Sequence, residues 1–411
     1  MNEASETERP STGGVYGQLR VLSAAVLVGV LAGAASAGFL VSLDWVTERR
    51  VAHPWTLWLL PVGGAAMAWG GARWGGSATQ GNRLTMRQIR RLDDGVPLRM
   101  APLVYIGTLV THGLGGSAGR EGTALQLAAG LTDGLASRAR VPRSDRQLLL
   151  IASIAAGFGS VFGVPWAGLV FAVEISPTSW RRRLAAVPAC VVAALVGDRT
   201  VALLGVHHQR YPQLGGVRTR DVLVAMAVAP LFGLCAWLFI RCTDGVKNTL
   251  AGRFEHPAAR AVVGGCAVIA LTVVIGNRDN NGLSIPLLQR AFGVAAIGLG
   301  VWFLKLLMTS LTVGSGYAGG EVTPLFVIGA TLGSAIGHAV GGPVVLLAAV
   351  GMMATFGSAV NASLACAVMG VELFGWGPAI PLLLGCAIAR LFSSGRSLYA
   401  HEQVPVEAEL L

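Results

Sequence analysis

Long stretches without Asp, Glu, Lys or Arg alternate along this chain with short segments rich in arginine. Val21–Leu43, Gln147–Val173, Val222–Ile240 and Ala261–Asn277 are all uncharged, and fifty residues from Val322 to Val371 carry no basic side chain except His338. A helix needs about 20 mainly apolar residues to cross a bilayer, and backbone groups in lipid must be satisfied internally. The pattern therefore predicts about ten to twelve apolar helical segments, some whole and some broken. The first twenty residues, with Glu3, Glu6, Glu8 and Arg9, are polar and do not read as a signal peptide.

Composition points the same way. Of 411 residues, 53% are apolar, only 13% are charged and 56 are glycine, whereas soluble proteins average about 25% charged residues. A soluble globular protein and a disordered chain are both excluded. The net charge of +10 comes from arginines between the apolar runs: Arg83–Arg99, Arg138–Arg146 and Arg181–Arg183. Such loops face the cytoplasm, so the charge reports topology, and nucleic acid is not expected as a partner. Arg146 and Arg181 nevertheless flank one apolar stretch, which a simple crossing would put on opposite sides. Its Gly157–Pro165 segment is rich in helix breakers, and two helical pieces joined at depth resolve the conflict. The six cysteines show no CxxC spacing, and His207-His208 reads as a solvated loop, so neither a metal nor a cofactor is expected.

The chain also repeats itself. Gly116-Ser-Ala-Gly-Arg-Glu-Gly-Thr-Ala-Leu125 returns as Gly316-Tyr-Ala-Gly-Gly-Glu-Val-Thr-Pro-Leu325, with six of ten positions identical. A second pair, Gly157–Ile175 and Thr355–Leu373, recurs at nearly the same offset and includes Glu174 and Glu372. Duplicated halves mark transporter folds that bind substrate between discontinuous helices. The repeat divides the chain into a polar tail (1–20), a first membrane repeat (21–205), a linker (206–220), a second membrane repeat (221–400) and a short C-terminal tail (401–411).

Each first block is a glycine-rich run followed at once by an apolar segment, as where a helix begins in mid-membrane. Pro324 suits the first turn of such a helix. Helix N-termini carry unpaired N–H groups and welcome anions, and Gly116, Gly119, Gly319 and Gly320 let the backbone approach an ion. Glu121 lies beside this tip. Ionised, its carboxylate mimics an anion and fills the seat; protonated, it is neutral and leaves, so one group serves as gate and proton carrier. The competing reading is a structural ion pair with Arg120. Glu174 and Glu372 read as helix-end or interfacial residues, or as partners of loop arginines.

At Gly119-Arg-Glu-Gly122 the sequence resembles the chloride channel family of anion channels and anion/proton antiporters. A second family motif is similar to Gly159–Glu174, with Phe162, Pro165, Gly168 and Phe171 in place and one spacing shifted. The resemblance runs from Val21 to Tyr399. It implies an all-α polytopic protein of the cell membrane, with two inverted-topology repeats whose broken and re-entrant helices meet at a central anion site. It also implies a homodimer with one pore per subunit, a gating Glu121, and Tyr399 as a hydroxyl donor to the anion.

Departures from the family pattern refine the substrate. Thr123 replaces a proline, the third motif reads Gly319-Gly-Glu-Val-Thr-Pro324, and Gly81-Asn-Arg-Leu-Thr85 stands where a chloride-binding serine is expected. This set resembles the fluoride-exporting branch. Fluoride is small and strongly hydrated, so it needs short, strong donors; Asn82, Thr123, Thr323, Tyr399 and the N–H groups of Glu321 and Val322 are the candidates, with Gly119, Arg120 and Gly122 at the same tip. Glu321 beside an anion is tolerated only if protonated or turned away, and burial next to a second carboxylate favours one neutral acid in the Glu121/Glu321 pair. The expected function is fluoride/proton antiport, with a chloride/proton antiporter or chloride channel as the alternative. An intramembrane enzyme lacks a nucleophile–base pair or a His-Glu-x-x-His pattern, and a nucleotide-driven pump lacks Gly-Lys-Ser/Thr after Gly113–Gly119.

Overall fold

The computed structural model describes residues 15–393, 395, 397 and 398. Its first half comprises α1 (Val15–Ala52), α2 (Leu60–Gly70), α3 (Asn82–Arg90), α4 (Met100–Gly113), α5 (Glu121–Arg138), α6 (Arg143–Phe162), α7 (Pro165–Ile175) and α8 (Trp180–Leu203). The second half holds α9 (Thr219–Arg253), α10 (Pro257–Ile275), α11 (Ile285–Ala291), α12 (Val301–Gly314), α13 (Val322–Ala339), α14 (Val344–Val360), α15 (Ser363–Phe374) and α16 (Ala379–Leu391). Six of these helices are long and apolar enough to cross a membrane. The chain is a multi-pass membrane protein.

α1 starts at Val15, inside the segment expected to be a tail, because its first turns have something to hold: Arg20 pairs with the buried Asp145 of α6 at 2.5 Å. The expected break at depth lies between α6 and α7. Gly163 closes α6 in the left-handed conformation (φ 71°), and Pro165 opens α7. His208 corrects the expectation of a solvated loop. Its half-buried ring occupies the space where a side chain at position 163 would stand, so the linker plugs the helix break.

α13 meets α14 at backbone contact. Gly329, Gly333 and Gly337 recur every fourth residue, and a methyl on Gly329 would collide with the carbonyl of Gly351. Small residues of this spacing drive close helix packing where no hydrophobic effect separates helix from lipid.

Residues of one repeat touch their counterparts in the other, as a two-fold axis between inverted halves requires. Phe158 of α6 stacks on Phe356 of α14, with centroids 6.1 Å apart and planes 10° from parallel. Glu174, near the end of α7, accepts hydrogen bonds from the N–H groups of Leu364 (3.3 Å) and Ala365 (2.8 Å) at the start of α15. Glu372, near the end of α15, accepts them from Trp166 (3.1 Å) and Ala167 (2.6 Å) at the start of α7. The two glutamates are therefore reciprocal helix caps between repeats. Among the described residues, the expected arginine pairing is reduced at Glu174 to a long 3.9 Å approach of Arg390 to its carboxylate and a 3.4 Å bond from Arg183 to its backbone carbonyl.

Candidate anion site

Two glycine-rich loops launch α5 and α13 from the interior. Gly115 (φ 87°) and Gly316 (φ 96°) turn the chain out of α4 and α12, and the two loop tips then meet. Gly119 N–H donates to the Gly320 carbonyl (2.5 Å), and Gly320 N–H donates to the Gly119 carbonyl (2.8 Å). No other residue fits there. A Cβ on Gly119 would lie 2.6 Å from Glu121 Oε2, and one on Gly320 would lie 2.7 Å from the Gly122 nitrogen.

Glu121 is fully buried at this junction. Its Oε2 accepts from the backbone N–H of Arg120 (3.0 Å) and from that of Thr323 (3.0 Å), so one oxygen is shared by the helix tips of both repeats. The Thr323 hydroxyl donates to Oε1. A carboxylate thus sits on the N-terminus of α13, where unpaired N–H groups and the helix dipole favour negative charge. Arg120 contributes chiefly through its backbone, since its Nε stands 3.9 Å from Oε1 and makes no hydrogen bond.

The other expected residues divide. Asn82 opens α3 after Gly81 (φ 59°), with its Oδ1 buried and without a partner among the described residues, and a Cβ on Gly122 would come 3.3 Å from its Nδ2. A third helix start therefore adjoins the junction. Thr123 is turned away: its hydroxyl pairs with that of Thr108 on α4 at 2.6 Å. Glu321 stands at the N-cap position of α13, with no side-chain capping bond among the described residues, and its field comes from Glu121, Lys247 and Arg83. Val322 is buried, but among the described residues the N–H donors to Glu121 are those of Thr323, one position beyond the expected Glu321 and Val322, and of Arg120 in the other repeat. Gly116 packs against Thr111, Gly319 holds φ at 148° beside Ala118, and Gly122 lies against Gly320. Tyr399 lies outside the described residues.

The structure adds residues that sequence reading missed. Lys305 of α12 is fully buried, and its Nζ donates to Ser117 Oγ (2.8 Å), Ser284 Oγ (2.9 Å) and the carbonyls of Gly282 (2.9 Å) and Asn280 (3.2 Å). It ties the loop before Glu121 to the segment 280–284. His112, also buried, lies between the carbonyls of Thr108 (2.8 Å) and Ala118 (3.0 Å). A lone lysine in an apolar run was a signal available in the sequence. Chemically, the junction gathers two backbone N–H groups and one hydroxyl around a single buried carboxylate.

A family model described as "Voltage gated chloride channel" matches residues 63–394. A chloride/fluoride channel protein of Pseudomonas syringae pv. tomato is 39% identical over 391 residues, covering 93% of this chain and 86% of that protein. An H(+)/Cl(-) exchange transporter of Cronobacter sakazakii is 26% identical over 93% of this chain and 89% of its own length. Among solved structures, a CLC-type fluoride/proton antiporter superposes with a TM-score of 0.87 at 31% identity, covering 94% of this chain and 98% of that one. A slow cyanobacterial Cl-/H+ antiporter shares the fold, with a TM-score of 0.79 at 18% identity over 91% of this chain and 94% of its own.

Proposed function

We infer that this chain, which belongs to the voltage-gated chloride channel family, is a fluoride/proton antiporter in which Glu121 is both gate and proton carrier. That it is an anion/proton transporter of the membrane follows from its family; fluoride and the gate are the proposal. One observation carries it: the Glu121 carboxylate bonds to N–H groups of both repeats and to the Thr323 hydroxyl, as a bound anion would. Ionised, it excludes the anion. Protonated, it loses the charge that holds it at the α13 tip and yields the seat, so each exchange of occupants moves a proton.

Fluoride is supported by the donors around the seat, by the 39% identical relative whose name includes fluoride, and by the 31% identical fluoride/proton antiporter structure. The Thr323 hydroxyl and the Asn82 amide are hard donors suited to a small, strongly hydrated ion. We assign Tyr399 a third such donor role. Gly116, Gly119, Gly122, Gly319 and Gly320 let the tips close on the ion. We assign Glu321, at the start of α13, the role of second acid of the proton route. We take residues 21–205 and 221–400 as the two halves, and the assembly as a homodimer with a pore in each subunit.

The test is flux from vesicles holding the purified full chain, followed with fluoride, chloride and pH electrodes. Fluoride efflux should drive protons inward against their gradient, with little chloride efflux. Chloride efflux of comparable size replaces the reading with a chloride/proton antiporter, and fluoride flux without proton movement makes the protein a channel.

A further inference from the structure

At the C-terminal end of α1 an open groove of about 630 Å3 runs between α1 and α4 to the turn at Pro54–Leu59. Its floor is apolar, built from Val46, Leu109, Val110 and Leu114. One end carries Arg49, Arg50 and His53 between Trp45 and Trp55, and no carboxylate lines it. Trp45, Trp55 and the neighbouring Trp58 are 57%, 59% and 60% exposed. Exposed tryptophans in a membrane protein mark headgroup depth. The other end of α1 pairs through Arg20 with Asp145, beside the Arg138–Arg146 loop. The groove therefore belongs to the opposite leaflet.

The two arginines take different positions in the groove. Arg49 lies over the Trp45 ring at 5.5 Å, which holds its guanidinium at the groove mouth. Arg50 reaches inward, and its Nε is buried with no hydrogen-bond partner among the described residues. Buried donors are almost always matched, so an unmatched guanidinium edge above an apolar floor asks for an amphiphile with an anionic oxygen at its head.

We propose that this groove binds one phospholipid with an anionic headgroup, its phosphate held by Arg49 and Arg50 and an acyl chain lying on Val46, Leu109 and Leu114. Guanidinium forks match phosphate oxygens in pairs. A zwitterionic lipid offers the same phosphate but brings an ammonium that the two arginines oppose. The site also touches the transport machinery. A Cβ on Gly282 would lie 2.9 Å from Arg50 Nη2, and Gly282 N–H donates to the Gly116 carbonyl (3.1 Å) while Asn281 Nδ2 donates to that of Gly115 (2.7 Å). One arginine thus separates the bound headgroup from the loop that leads to Glu121.

Native mass spectrometry of the full chain in detergent, titrated with phosphatidylglycerol and phosphatidylcholine of equal chain length, tests this. One phosphatidylglycerol should bind in preference, by about fivefold per arginine, and equimolar inorganic phosphate should not displace it. The double substitution Arg49→Gln/Arg50→Gln should bring phosphatidylglycerol down to the phosphatidylcholine level, whereas Arg253→Gln, exposed at the end of α9, should not. Arg49→Gln alone, at the exposed position, should lose part of the preference and serves if the double variant does not fold. Equal binding of the two lipids, a preference that survives in the arginine variants, displacement by phosphate, or cross-linking of two copies through His53→Cys overturns the proposal.

Discussion

Ionised carboxylates at the depth of a bilayer's centre cost about 2.5–3.5 kcal/mol on insertion scales, and Glu121 meets that cost with three donors, two of them backbone N–H groups. Side-chain substitutions around it therefore leave most of the seat intact, and the proton is the sensitive quantity. Glu121→Gln keeps the shape but has no titrating group, so anion flux should persist while uphill proton movement disappears, as read by paired fluoride and pH electrodes; continued proton pumping by this variant would falsify the gate. Lys305 supplies the contrast. Lys305→Met leaves four buried oxygens without their donor, at about 1–3 kcal/mol for each one left unsatisfied, and should lower thermal stability in detergent by at least ~2 kcal/mol. An unchanged melting temperature would refute that. Glu121 was legible from its sequence because a rare residue type recurs in a repeated glycine context. Lys305 was missed: it offered only one charge in an apolar run, and its partner Ser117 is 188 positions away with no periodicity to link them.

Between elements, the strongest device is the exchange of caps by α7 and α15. A carboxylate on helix N–H groups contributes about 0.5–2 kcal/mol as a cap, with the helix dipole adding to it. Glu174→Ala and Glu372→Ala should each destabilise by about 1–2 kcal/mol, in similar amounts because their geometry is reciprocal, and the two losses should add; thermal unfolding of the three variants measures this. The repetition of these glutamates is plain in the sequence, but their bonds go to residues 190 and 206 positions distant, which explains why that reading left them as helix-end or interfacial residues or partners of loop arginines. The broken helix at Gly163, by contrast, was legible because glycine and proline act locally. His208 adds a pH dependence to that break. Burial, and after it the nearby Arg120, push its imidazole pKa down, so the unfolded chain takes up the proton more readily than the native one. The stability it gives is complete above the ordinary histidine range near pH ~6.5 and is lost as pH falls below it. Protease cutting within 204–218 should accelerate on acidification, and His208→Gln should flatten that response.

Taken as a whole molecule, the two halves were readable from the duplication and their inversion only from the family resemblance, yet their mutual contacts were not, because a repeat fixes which residues correspond and leaves open how closely they meet. The contact at Gly119 and Gly320 has a mechanical consequence. Its paired backbone hydrogen bonds join the halves beside Glu121, and the crossed glutamate caps join them again at α7 and α15. Many inverted-repeat carriers work by rocking one half against the other around a fixed site; here that motion would break both sets of contacts. On the function proposed above, the frame therefore stays rigid and single side chains make the stroke. A thiol linker joining α7 to α15 should accordingly leave fluoride flux unchanged, and flux that stops on linking and returns with reductant would show that the halves move after all.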